Sequence, residues 1–422
     1  MVVKGLTKAE ELSITGFSIE WVLDKLEKYC DDYRKAKDGK TVVDIEANDV
    51  SDGKGFLSRV FITKITFDDQ TEYVLALKVP TYEIIESKMK GVEGISEEQI
   101  EKMNDFILES HNVECDAIAM VSKFKNFPSP KLYYAEKSNQ GRDCGLPGKT
   151  SPGIIIMAAV DGASIGAIKS VTVQQCLNVA RDFAILQDYI AQLPEGDWKE
   201  KFHSTLHFDE HVFEHGKIAA QELEQSFSDL SKSTELLTKV DWGKYSEYAL
   251  HERPAELNAW TYIHGDTWTN NIMFKKNGDG SVSDEILCYI DYQVGFQGNP
   301  LFDLARFMCV CPDGEIRREA TIPTLKQYYD KLTELYAERK ATVPYSFEDV
   351  KELYNLAFAH QSLLACSLLK FLGMDGDASE DVKEAQSAKV ALRMKFLIQD
   401  AFKILHDYNL EKLGLFLTEV EE

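Results

Sequence analysis

The chain has 422 residues, of which 44% are hydrophobic and 28% charged, the make-up of a folded globular protein with room for two or three domains or two lobes of one. A formal net charge of −23 excludes nucleic acid, or an anionic membrane, as a partner held by bulk electrostatics. An anionic ligand must therefore be gripped locally, by lysines, backbone N–H groups or metal. The N-terminus has no apolar core of signal-peptide length. The longest clean apolar run, Ile154 to Val160, falls far below the ~20 residues of a membrane span, so no span is expected and the cytoplasm is the expected location. The cysteines (30, 115, 144, 176, 288, 309, 311 and 366) form no CxxC or zinc spacing and read as reduced thiols. Cys309 and Cys311 read as ordinary residues around a helix start.

In chain order, residues 1–40 read as helical, with apolar positions at helical spacing from Ile19 to Tyr29 and a stop at Asp38-Gly39. Strands follow at Thr41–Glu46, Arg59–Phe67 and Tyr73–Val79, the last two joined by a turn at Asp68-Asp69-Gln70. Between the first two lies Gly53-Lys-Gly55-Phe-Leu-Ser58, a glycine-bearing hairpin tip. A helix over about 97–122 is closed by Asn126-Phe-Pro-Ser-Pro130, and a strand at Lys131–Ala135 follows. Gly141 to Gly153 reads as a loop, and Gly153 to Val160 as a buried strand. Beyond Asp161-Gly162 long helical patterns take over, at 171–193, about 208–250, 346–372 and 380–407. Two short strands interrupt them, Ala259–Ile263 and Glu285–Ile290. The expectation is an α+β fold with a helical extension over 1–40, a sheet-rich N-lobe over 41–160, and a mostly helical C-lobe over 161–422.

The densest chemistry sits at His264-Gly-Asp266-Thr-Trp-Thr-Asn-Asn271, directly after an apolar strand. Phosphoryl transfer needs a carboxylate near the attacking hydroxyl and oxygen ligands for Mg²⁺. Asp266 and Asn271 supply both types on one short loop, although a turn capped by Asp266 would read the same. The second strand ends in Ile290-Asp291, and two strands each delivering a carboxylate are expected to form a small hairpin holding metal. Asn271 and Asp291 fit the oxygen preference of Mg²⁺. Lys78 interrupts the apolar strand Val74–Val79, and a buried lysine needs a partner. Glu114 on the next helix is the expected partner, with Glu109 as the alternative. Gly53, Gly55 and Ser58 would bring backbone near phosphate, and a plain turn explains them equally well.

In this order the motifs resemble the choline-kinase-like and aminoglycoside-phosphotransferase-like kinases, specifically the CHK kinase-like branch related to ecdysteroid-kinase-like proteins. The resemblance is carried by Gly55–Val60, Leu77-Lys78-Val79, His111–Glu114, Pro130–Tyr133, His264–Asn271, Ile290–Gln293 and Gly298–Leu304. It implies a protein-kinase-like bilobal fold and a small-molecule kinase using ATP and Mg²⁺. It implies Asp266 as catalytic base, with His264 in the catalytic group as a loop organiser. It also implies Asn271 and Asp291 on the metal, Lys78 with Glu114 on the phosphates, Met157 in an adenine-facing hinge strand, and Asp303 bracing the catalytic loop. The chain departs from the family at Ala158-Ala159, where hinge strands often carry an acid, and at Val113-Glu-Cys115-Asp, which leaves the Glu114 register open. A protein kinase would show His-Arg-Asp and a long activation segment. Here Gly265 replaces the Arg and Pro300 follows Asp291 closely, so the expected partner is a small hydroxylated acceptor, choline-like, steroid-like or glycoside-like. For a choline-like cation, Trp268, Tyr292, Phe296 and Tyr354 are the candidate box, against their ordinary place in a core. The competing expectations are a catalytically silent nucleotide-binding module, and a metal-dependent hydrolase using His264 and Asp266 as ligands.

Overall fold

The computed structural model describes residues 11–13, 15–51, 57–81, 97–124, 126–139, 151–202, 210–371, 378–408 and 410–417. Gly53, Gly55, Cys144 and most of the expected 141–153 loop lie outside the described residues. The chain divides into two compact units, the first made of Met1–Lys125 with Ser129–Asp161, the second of Asn126–Pro128 with Gly162–Glu422. The first is sheet-rich and the second mostly helical, the α+β arrangement expected from the sequence.

The first unit opens with α1 (Ile19–Tyr29) and α2 (Asp31–Lys37). Ser18 caps α1 by accepting from the Trp21 N–H, and Ile19, Val22 and Leu26 form its buried stripe. These residues share one core with Phe61, Ile65, Phe67, Leu75, Leu77 and Val79 of the sheet. The N-terminal helices are thus part of the sheet unit and no separate extension. The strands are β1 (Val42–Asp49), β2 (Ser58–Phe67) and β3 (Glu72–Pro80), then, after helix α3 (Glu97–Val121), β4 (Leu132–Glu136) and β5 (Ile154–Ala158). They form one sheet in the order β1-β2-β3-β5-β4, antiparallel throughout. The β2–β3 turn falls at Asp68-Asp69-Gln70, where Gln70 takes φ 66°.

The alternation of strand side chains decides what this sheet offers. Leu75, Leu77 and Val79 point into the core shared with α1 and α2. Ala76 and Lys78 therefore point to the opposite face, the one from which Glu114 of α3 reaches Lys78.

The second unit runs through α4 (Val173–Ala191), α5 (Glu210–Ser226), α6 (Ser231–Lys239), α7 (Trp242–Glu247) and α8 (Arg253–Glu256). The single long pattern expected over about 208–250 is broken: Asp241 accepts from the Lys244 N–H and so restarts the helix at Trp242. Next come β6 (Thr261–Ile263), a 3₁₀ turn at Thr269–Asn271, β7 (Ile272–Lys276), β8 (Val282–Tyr289) and β9 (Phe296–Gly298). The chain closes with α9 (Phe302–Val310), α10 (Gly314–Glu338), α11 (Phe347–Phe371) and α12 (Glu380–Asp407). Helix α10 packs along α4, and α11 packs against α9, α12 and α5.

Two expectations need correction here. The strands leading to Asp266 and Asp291 do not pair with each other: β6 pairs with β9, and β8 with β7. Cys309 and Cys311 lie at the end of α9, where Cys311 is its C-cap, and not around a helix start. Seven described cysteines are buried free thiols. Among the described residues no helix is long and apolar enough to cross a membrane.

Candidate active site

In the first unit the Lys78 Nζ donates to Glu114 Oε1 at 2.7 Å, with Oε2 equally near at 2.7 Å. Both side chains are nearly sealed, 6% and 4% exposed. Glu109 is exposed, so the register left open by the sequence resolves to Glu114. Cross-strand partners share a sheet face. Val60 and Ile155 stand opposite Lys78, Met157 opposite Ala76, and Ser58 opposite Pro80. Ser58, Lys78 and Met157 therefore lie on one face of the sheet. His111, one turn before Glu114 on α3, meets the Glu136 carbonyl through Nε2 at 3.0 Å. Burial holds its pKa down at about 4, and the Lys78 charge pushes the same way.

In the second unit, the loop after β6 is organised by a buried carboxylate. Asp303, near the start of α9, accepts from the backbone N–H of His264 at 2.8 Å and of Gly265 at 2.9 Å. It also accepts from the Thr267 hydroxyl at 3.0 Å. Burial raises the Asp303 pKa, while the nearby His264 and these donors oppose the rise. Gly265 makes this turn possible. Its φ is +89°, and a Cβ there would stand 2.4 Å from the Val294 carbonyl oxygen. An arginine at this position, as in a protein kinase, would be strained and would clash.

His264 is fully buried and ties two strand ends together. Its Nδ1 accepts the Asp266 N–H at 3.3 Å, which leaves Nε2 as the protonated nitrogen donating to the Ile290 carbonyl at 3.1 Å. Ile290 in turn donates its N–H to the Asn271 carbonyl at 3.0 Å. The loop bearing Asp266 and the strand end bearing Asp291 are thus joined through hydrogen bonds, although their strands do not pair. Asp291 sits in the left-handed region with φ 69°, and its Oδ2 accepts from Gln293 at 3.2 Å. Aspartate is among the non-glycine residues that enter this region most readily.

Asp266 is partly exposed, and its carboxylate is held from three directions. Oδ2 accepts from Asn271 Nδ2 at 2.9 Å and from the Trp268 indole at 3.2 Å. Oδ1 accepts from Arg306 Nη2 of α9 at 3.0 Å. Arg306 is the residue the sequence reading missed. Asp303 and Arg306 are three apart on one helix, so both reach the same loop. That spacing was the available signal. Of the four aromatics considered for a cation box, Tyr292, Phe296 and Tyr354 are buried in the core, and only Trp268 keeps an exposed part.

The chain is similar to several known proteins. One is "Uncharacterized oxidoreductase dhs-27" of Caenorhabditis elegans, 26% identical over 297 residues. That match takes in 66% of this chain and 34% of the relative, so it spans about a third of the relative's length. Among solved structures, the chain resembles a choline kinase from Cryptosporidium parvum Iowa II, with 11% identity, TM-score 0.45, and 94% of this chain and 97% of that one covered. It also resembles a microcompartment-associated aminopropanol kinase, with 12% identity, TM-score 0.42, and 91% and 99% covered. The model of the DUF1679 family, described as "Uncharacterized oxidoreductase dhs-27", matches residues 37–410, and the chain belongs to that family.

Proposed function

We propose that the chain is a phosphotransferase that moves the γ-phosphoryl group of ATP, with Mg²⁺, onto a hydroxyl of a small molecule. The observation that carries this reading is the joining of two strand ends by His264, Asn271 and Ile290. It fixes one carboxylate, Asp266, on a braced loop and sets Asn271 and Asp291 on either side of a single backbone hydrogen bond. Phosphoryl transfer asks the protein for little covalent chemistry and much positioning. In the step, the acceptor oxygen bonds to phosphorus, the bond to the ADP oxygen breaks, and Asp266 takes the hydroxyl proton.

Asn271 spends its Nδ2 on Asp266, so its Oδ1 is the atom it presents to a cation. With the Asp291 carboxylate this makes an oxygen donor pair, which suits Mg²⁺ completed by phosphate and water. Among the described residues no cluster of three His, Cys, Asp or Glu could hold a metal, which disfavours a zinc-type cage. When bound, Mg²⁺ would neutralise charge on the phosphates. Lys78, held by Glu114, would grip the phosphates, with Ser58 and Met157 on the same sheet face contacting the nucleotide; Gly53 and Gly55, expected near phosphate from the sequence, lie outside the described residues. His264 would position the loop, since both ring nitrogens are engaged and the ring is sealed. The same engagement disfavours His264 as a metal ligand, and with it the hydrolase reading. The short run from Asp291 to Pro300 and the glycine at 265 favour a small acceptor over a peptide. The word "oxidoreductase" stands in the description of the matching family and in the name of a relative of which the match spans about a third. Every named strand pair in the described residues of this chain is antiparallel, unlike a dinucleotide-binding parallel sheet.

A thermal-shift titration tests the nucleotide half of this reading. Mg-ATP is expected to raise the melting temperature by mass action, and the double replacement Lys78→Met with Glu114→Leu, which leaves no buried charge unpaired, to abolish the rise while remaining folded. Stabilisation by Zn²⁺ with no response to nucleotide would favour the hydrolase instead.

A further inference from the structure

We infer that Arg306 sets the charge of the acceptor: the hydroxyl compound phosphorylated here carries no cationic group and offers an oxygen beside its hydroxyl to the Arg306 guanidinium. The inference rests on the phosphotransferase reading with Asp266 as base. Each carboxylate oxygen accepts about two hydrogen bonds. Oδ2 of Asp266 has both, from Asn271 and Trp268, whereas Oδ1 has one, from Arg306. The open direction of the base is therefore at Oδ1, and a hydroxyl donating there lands next to the guanidinium.

That guanidinium is permanently charged and partly sheltered, 15% exposed against 26% for Asp266. It matches the negative charge that would otherwise draw a cationic headgroup. Helix α11 does not cancel it. Arg306 Nη1 leans on Gln361 Oε1 at 3.4 Å, and the Gln361 amide is engaged with His360 Nδ1 at 3.0 Å. His360 is sealed, and burial, His251 and Arg306 push its pKa down to about 3, so it stays neutral. The groups backing the arginine are thus an amide and a neutral imidazole. Among the described residues no aromatic cage compensates: Tyr292, Phe296 and Tyr354 are core residues, which leaves the half-buried Trp268 as the one ring of the four candidates with an exposed part. The net charge of −23 would draw cations to the molecule as a whole, yet the like charge at the base is the nearer field. A carbonyl, ether, carboxylate or second hydroxyl on the neighbouring carbon would meet the guanidinium's donors.

The test uses the purified full chain with Mg-ATP and a library of cationic, neutral and anionic hydroxyl compounds. The library includes choline and its neutral isostere, in which a quaternary carbon replaces the nitrogen. Turnover is expected from neutral or anionic members. Arg306→Gln should raise kcat/KM for cationic acceptors relative to their neutral matches by roughly ten- to hundredfold, and Arg306→Lys should keep the wild-type ranking. A wild type that turns over a cationic acceptor at least as well as its neutral match overturns the inference and leaves the kinase standing. So does an Arg306→Gln variant that loses activity on all acceptors in equal proportion. If no acceptor of any charge is phosphorylated, the phosphotransferase reading falls and takes this inference with it.

Discussion

Two residues carry opposite kinds of consequence. Asp266 is partly exposed and held by neighbours that survive its loss, so Asp266→Ala should leave the fold and nucleotide binding in place. A positioned base is worth roughly 10²- to 10⁴-fold in rate, and steady-state kinetics of the variant should show a loss of that order in kcat. Lys78 and Glu114 are sealed, and a buried charge without its partner is strongly unfavourable. Glu114→Gln should cost about 3–5 kcal/mol in urea unfolding. The double replacement Lys78→Met with Glu114→Leu should recover most of that stability yet give no thermal shift with Mg-ATP. A double variant that still responds to nucleotide would remove Lys78 from the phosphate role.

At the scale of elements, the loop between β6 and the 3₁₀ turn depends on one glycine and one carboxylate. Gly265→Ala forces a Cβ into a left-handed backbone and to 2.4 Å from a carbonyl oxygen, so a loss of roughly 2–4 kcal/mol in unfolding free energy is expected. A variant as stable as the parent would show the loop free to relax. This loop was also what the sequence announced best. Asp266, Asn271 and Asp291 were legible because each follows an apolar strand at a fixed offset, and Lys78 because a lysine in an apolar strand demands a partner. Pairing was not legible. Two strands ending in acids look like a hairpin, yet each took another neighbour, and the link between their ends runs through the His264 ring and a single backbone bond. The choice of Glu114 over Glu109 needed the helix phase relative to Lys78, which side-chain type alone does not give. Arg306 was hidden for a similar reason, since it contacts a residue forty positions earlier and only its spacing from Asp303 hinted at it.

At the scale of the whole molecule, each unit contains a sealed histidine, His111 in the first and His360 in the second. Their folded pKa values, about 4 and about 3, lie below the usual 6.5. Unfolding exposes imidazoles that take up protons below the usual value, so this stability is present above about pH 6.5 and is lost as pH falls toward the folded values. By about pH 5 each histidine should have forfeited about 2 kcal/mol. His111→Gln should accordingly lose less of its urea midpoint than the parent between neutral pH and about pH 5. An equal loss in both would assign the acid sensitivity elsewhere.

Turnover is measured on the protein itself. The purified chain is incubated with Mg-ATP and pooled hydroxylated metabolites, and the products are followed by mass spectrometry for ADP and a phosphorylated acceptor in equal amounts. The expectation is both products from the wild type, formed roughly a hundredfold or more slowly by an Asp266→Ala variant that still shows the nucleotide-dependent rise in melting temperature. No phosphorylated acceptor from the wild type, or equal product from the two proteins, would contradict it.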